Sequence, residues 1–164
     1  MKLHLSTGSM ATLLTACLCS MFLPPTASSQ AVQSVQADDI REAVVRYQIA
    51  QWDLNAKVYF LKIEGKDPDE KFLSRFKDAS HPVKKQSESR VRKVRRVIAF
   101  VEDRKTKQRG VVFDQEAIRW VNETKVDVEG GFYCGSLCMA GGVYRLERRD
   151  GRWVVLSFNI AIQS

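Results

Sequence analysis

Apolar residues early in the chain recur at helical intervals. Ile40, Ala43, Val44, Tyr47 and Leu54 fall along one face, which predicts a helix over 39–54 with that face buried. Arg41, Glu42, Arg46 and Gln48 fall mostly elsewhere on the wheel. Asp39 and Glu42 have the spacing of a capping box, and both charges suit the positive end of the helix dipole. The pattern then changes. Lys57–Ile63 is rich in β-branched and aromatic residues and too short for a good helix, so it reads as a strand. A turn at 64–68 follows, then a short helix over 69–76 with Phe72 and Phe76 on one side and Asp69 as its N-cap. His81-Pro82 opens an extended link, because the residue before proline avoids the α region.

Val91, Val94, Val97, Ile98 and Val101 fit helical spacing, and several also fit a strand. The run Val97–Val101 favours one strand over 90–101, with 103–110 as a polar, basic connection. Val111–Phe113 and Ile118–Trp120 belong to one long or bulged strand, which residues 122–124 turn into the next strand from Lys125. Asp150-Gly151 is a favoured two-residue hairpin turn. It pairs Arg149 with Arg152, Arg148 with Trp153, Leu146 with Val155 and Tyr144 with Ser157. Tyr144, Leu146, Trp153 and Val155 then face the core, and Val154, Leu156 and Phe158 face away. One helix ahead of these strands predicts an α+β domain, with the N-terminal helix packed on a curved, mainly antiparallel sheet.

The amino terminus changes the picture. Lys2, the apolar run Met10–Leu23, Pro24-Pro25 and the small residues after them read as an export signal over 1–31, with cleavage after Ala31 favoured over Ala27. Residues 32–38 read as a flexible leader and 39–164 as a single α+β domain. The protein is thus expected in the periplasm or outside the cell. Leu14-Thr15-Ala16-Cys17 also fits a lipobox, which would anchor the chain through a lipid on Cys17, although Leu18, Met21, Phe22 and Leu23 keep the sequence apolar past the cysteine. The run is shorter than the roughly 18 apolar residues a membrane span requires. Loss of Lys2 leaves 25 basic residues against 19 acidic ones. An exported basic protein meets anionic lipid, envelope polymer or acidic partners before nucleic acid, and no nucleic-acid recognition motif accompanies the charge.

Several segments together carry a resemblance: Ile40–Tyr47, Lys57–Leu61, Pro82–Lys85, Val128–Tyr133 and the ending Tyr144–Val155. The chain resembles small exported bacterial proteins of uncharacterised role, broadly similar to the nuclear transport factor 2-like (cystatin-like) superfamily. The resemblance implies a cone-like sheet wrapped around helices, an apolar pocket at its open end, and frequently a homodimer. Enzymes of that group usually place an Asp–His pair in the pocket. After export this chain retains one histidine, His81, in the link beside Pro82.

The candidate chemistry is sparse. Cys134 and Cys138 flank Gly-Ser-Leu, and an oxidising compartment favours a disulfide between them, with free thiols as the alternative. No second Cys or His cluster accompanies them, so no metal or cofactor is expected. Lys84, Lys85, Arg90, Arg92, Lys93, Arg95 and Arg96 form a basic run that reads either as edge-strand protection or as a face for anionic envelope polymer or lipid. Asp67, Asp69 and Glu70 belong to a turn and a cap, and Asn122-Glu123-Thr124 is read as a turn. Trp52, Tyr59, Trp120 and Tyr144 are the candidate pocket walls. The expected function is a non-catalytic module for a small apolar ligand or a protein partner. The alternatives are a pocket acid–base enzyme of lyase or isomerase type, and attachment through the basic face.

Overall fold

The computed structural model describes residues 27–52, 54–95 and 98–163, with side chains from Val35 onward except that of Arg95. Most of the expected signal segment lies outside that range. The elements in chain order are α1 (Ala27–Gln51), β1 (Val58–Ile63), α2 (Glu70–Leu73), β2 (Val83–Lys85), β3 (Ser89–Arg95), β4 (Ile98–Asp103), β5 (Gly110–Asn122), β6 (Lys125–Gly135), β7 (Cys138–Arg149) and β8 (Arg152–Gln163). A 3-10 turn, Ser74–Phe76, extends α2, and another, Gln86–Glu88, joins β2 to β3.

The expected cone-like, cystatin-like arrangement, one helix on a mainly antiparallel sheet, does not form. The described residues are mostly strand, and their eight strands make one mixed sheet. β1 runs parallel to both neighbours, β2 and β5. β5, β6, β7 and β8 follow as antiparallel neighbours. The β3–β4 hairpin attaches to β6 where Phe100 meets Gly135. The parallel pairings have no turn signature because their partners are distant in sequence, and β2 is too short to show a period.

Three local expectations change as well. α1 is already helical at Ala27, so residues 32–38 are helix and not a flexible leader. Asp39 and Glu42 therefore sit within the helix, where both pair with Arg75 at 2.8 Å. Residues 90–101 are not one strand but parts of β3 and β4, paired back to back. Finally, β8 carries an extra residue at Leu156. Leu146 pairs with Val155, but Arg145 pairs with Ser157 and Tyr144 with Phe158. This β-bulge reverses the alternation beyond it. Phe158 consequently packs with the core, stacked 4.2 Å from Tyr144.

The core lies on both faces of the sheet. α1 places Ile40 and Val44 against Val126, Val128, Tyr144, Leu146 and Trp153. The next residue, Val45, joins Tyr59, Leu61, Phe72, Phe76, Phe113 and Phe132. Strand alternation sends Val58 and Phe60 to the opposite face, where Val101 of β4 meets them. β1 is thus buried on both sides. The Asp69 carboxylate caps α2 by accepting from the Phe72 N–H at 2.7 Å. Arg46 and Arg75 then tie this segment to α1 through Asp78, Asp39 and Glu42.

A buried side-chain amide on α1 ties the helix to the sheet. Gln48 is fully buried, and its Nε2 donates to Gly131 O at 2.9 Å and to the Tyr144 hydroxyl at 3.0 Å. Beneath it, Gly130 and Gly131 lie directly opposite Gly142 and Gly141. A Cβ at Gly131 would stand 2.1 Å from Ala140 O, and one at Gly142 2.1 Å from Asn159 O. Only glycine permits so close a backbone approach. Gln48→Met keeps the side-chain volume and removes the amide. It is expected to cost about 1–3 kcal/mol, the penalty of leaving buried polar groups without partners. Urea denaturation measures this, and an unchanged midpoint would show that the amide does not anchor the helix.

Candidate functional site

A broad cleft lies where the first half of α1 passes over the far half of β5. It encloses about 930 Å³. α1 supplies Gln36, Ala37 and Arg41; β5 supplies Ala117, Ile118, Trp120 and Asn122; Glu64, Glu123 and Arg148 complete the rim. A bulge in β5 makes the wall. Gln115 pairs with Gly130 but Ile118 pairs with Val128, so β5 carries one extra residue there. The shift turns Ile118 and Trp120 to the side that Phe113 and Gln115 already occupy. Trp120 meets Trp153 edge to face at 5.7 Å and remains 46% exposed.

Arg41 provides the charge. Its side chain is only 8% exposed. Nη1 donates to Glu116 O at 3.1 Å, and Nη2 donates to Glu64 Oε1 at 2.5 Å. The Gln115 amide donates to the Arg41 carbonyl at 3.1 Å, tying that turn of helix to β5. Glu64 occupies a reversal after β1, with φ at +48°, and its N–H donates to Gln115 O at 2.7 Å. A buried guanidinium is tolerated only when paired and hydrogen-bonded. Here the pairing carboxylate belongs to a residue whose side chain is 57% exposed.

Of the four aromatic residues expected to form pocket walls, Trp120 lines this cleft. Tyr59 is buried and stacked on Phe113 at 5.5 Å, with His81 at 5.9 Å on another side. Tyr144 is buried beneath Gln48, and burial pushes its phenol well above the usual range. Trp52 packs between Phe132 and Phe158, half-buried. Arg41 escaped the sequence reading because it was counted with the polar face. Yet it lies next to Ile40 and one turn from Val44 and Val45, so its spacing already placed it on the buried side.

Part of the basic run is paired with carboxylates. Lys84 pairs with Asp103 at 2.7 Å and Lys85 with Glu70 at 2.6 Å. Arg90 and Arg92 reach the fully buried Glu102 at 2.6 and 3.6 Å. The hydrogen bond from Arg90 lowers the Glu102 carboxyl. The side chain of Arg95, and all of Arg96, lie outside the described residues. Cys134 and Cys138 sit at disulfide distance across the β6–β7 turn, with Cα atoms 5.3 Å apart. They border a smaller hollow of about 240 Å³ with Phe100, Arg109 and Leu137. Among the described residues no cluster of His, Cys, Asp or Glu could hold a metal ion, and no helix is long and apolar enough to cross a membrane. Compared with known proteins, the chain matches no family model, no curated protein and no solved structure.

Asp103 gives the charge network a pH signature. Burial alone would raise its carboxyl. Hydrogen bonds from Lys84 and from the Thr106 and Lys105 N–H groups outweigh burial and hold it at about 2, below the ordinary 3.8. The unfolded chain therefore takes up this proton first as pH falls. The stabilisation is complete above the unfolded value and disappears between about pH 4 and pH 2. Asp103→Asn is expected to lower stability at pH 7 and to make the acid limb of the stability curve shallower. Urea titrations at successive pH values test this, and an acid limb as steep in the variant as in the parent would refute the assignment.

Proposed function

We propose that this protein is an exported, non-catalytic binding module that takes a small amphipathic molecule in the cleft between α1 and β5. The observation that carries this reading is the half-exposed Trp120, an aromatic surface turned into a hollow of about 930 Å³. Concave sites of this size, apolar walls with a few placed polar groups, suit small-molecule binding. Ala37, Ala117 and Ile118 extend the apolar wall, and Arg41, Asn122 and Arg148 supply polar contacts. Export is supported by the signal-like start of the chain and by the cysteine pair, which we take to be bridged in an oxidising compartment. The acid–base alternative draws less support. His81 packs on Tyr59 and is not among the cleft-lining residues, and the Glu64 carboxylate is engaged by Arg41. Attachment through the basic run is weakened by the acidic partners that Lys84, Lys85, Arg90 and Arg92 already hold.

Tryptophan fluorescence and thermal shift against a panel of small amphiphiles test the reading. Saturable binding is expected, weakened about tenfold by Trp120→Ala through the lost aromatic contact and buried area. Absence of saturable change with every member of the panel would overturn it.

A second reading, as a protein-interaction module, is favoured by β8. Among the described residues this twelve-residue strand pairs with β7 alone, and Trp153–Ser164 contains no charged residue. Val154, Leu156, Ile160 and Ile162 are exposed along it. The other two sheet edges carry Lys84 and Lys85, or Arg90, Arg92 and Lys93. Long edges normally carry such charges to prevent pairing. In a chain of net charge +7, β8 is the edge at which a second copy meets least repulsion. The occupant argued for is thus a second copy, paired antiparallel about a two-fold axis. Light scattering on the exported form is expected to give a concentration-dependent dimer, which Val154→Lys with Ile160→Lys reduces to monomer. A parent protein that stays monomeric at high micromolar concentration would rule this out.

A further inference from the structure

We infer that the ligand of the α1–β5 cleft is a carboxylate with an apolar tail, and that its carboxylate displaces Glu64 from Arg41. This rests on the cleft being a ligand site. The two halves of the Arg41–Glu64 pair differ in burial. Arg41 is held in place, with Nη1 on the Glu116 carbonyl and its own carbonyl bonded by Gln115, and only 8% of its side chain reaches solvent. Glu64 is 57% exposed and makes its ion pair from a surface turn. If Glu64 lets go, its carboxylate is rehydrated at once, because most of it is already in water. Arg41 cannot do the same and needs another anion in the same position.

A ligand carboxylate meets that need in kind, because guanidinium matches carboxylate geometry with parallel N–H donors. A neutral head group would leave the buried guanidinium uncompensated, and an ammonium head would repel it. The rest of the lining suits such a ligand. Ala37, Ala117, Ile118 and Trp120 offer apolar surface beside Arg41 for a tail or aryl ring. Arg148 on the rim has no ion-pair partner among the described residues, so it adds a second positive charge. Glu123, also on the rim, is the one carboxylate that would oppose an incoming anion after Glu64 has moved. Glu64 therefore acts as the chain's own occupant of the anion position.

The arrangement makes a specific demand: removing the Glu64 charge must improve binding. Calorimetry with octanoate, octan-1-ol and octylamine on the exported form, the parent protein and Glu64→Gln, tests it. Octanoate is expected to bind at least tenfold more tightly than octanol, and octylamine more weakly than either. Glu64→Gln is expected to tighten octanoate severalfold while leaving octanol unchanged, with an unaltered circular dichroism spectrum. Arg41→Met should bring octanoate and octanol to equal affinity. Octanol binding as tightly as octanoate, or Glu64→Gln weakening octanoate or leaving it unchanged, would overturn the carboxylate assignment while leaving the cleft as a binding site. Failure of all three probes to bind the parent protein would remove the cleft reading and this inference together.

Discussion

The hydrogen bonds of the buried Gln48 amide set the relation between helix and sheet. Nearer the start of α1, a second buried contact, from the Gln115 amide of β5 to the Arg41 carbonyl, also joins helix to sheet. Gln48 meets the sheet where β6 and β7 face each other through glycines, at Gly131 and beside Tyr144. The absence of side chains there lets the strands approach closely and leaves a carbonyl for the amide to reach. Arg41 lies two helical turns earlier on the same side of α1. Fixing Gln48 therefore fixes where Arg41 meets β5, and the Gln115–Arg41 contact completes the alignment. The cleft forms where this alignment carries α1 away from the paired strands toward the β5–β6 turn.

Charge is distributed so that burial and pairing go together. Glu102 and Asp103 of β4 are buried, and each is matched by cations from β2 or β3. Within the basic run over 84–96, Lys84, Lys85, Arg90 and Arg92 thus already hold acidic partners. Ion pairs between exposed groups would contribute little. Pairs that include a buried carboxylate fix the position of the β3–β4 hairpin, because removing either partner leaves an uncompensated charge inside. Arg41 follows the same rule with the roles exchanged, the cation being inside and the anion outside. That exchange is what makes its partner replaceable.

The sequence was legible where local chemistry decides structure. Asp150-Gly151 forms its hairpin with both residues at positive φ, and the first pairs, Arg149 with Arg152 and Arg148 with Trp153, fall where the turn places them. Asp69 caps α2 because an aspartate three residues ahead of an amide has few other options. Legibility failed where a distant partner decides. β2 is three residues long and exists because Val83–Lys85 lies parallel to Tyr59–Leu61. β3 and β4 pair with each other, although the apolar alternation over 90–101 reads as one continuous strand. Arg41 was misassigned by residue type, not by position, since an arginine on a helix is ordinarily a solvent contact.

Bulges in β5 and β8 explain why alternation alone could not locate the candidate site. On β5, Phe113 and Gln115 face α1, so a regular strand would turn Ala117 and Arg119 the same way. It would send Ile118 and Trp120 to the opposite side. The extra residue reverses this, places Trp120 against Trp153, and pushes Arg119 outward to pair with Asp127. On β8, the extra residue at Leu156 brings Phe158 under Tyr144 and leaves Leu156 exposed on the free edge. In each strand, a period-two reading is correct up to this bulge and inverted after it, until a second register shift, beyond Trp120 on β5 and beyond Ile160 on β8. A bulge leaves little trace in composition, because it is a property of pairing between strands. The cleft wall on β5 and the uncharged apolar edge on β8 thus share one origin. Both depend on register shifts between strands, which the alternation of the sequence does not record.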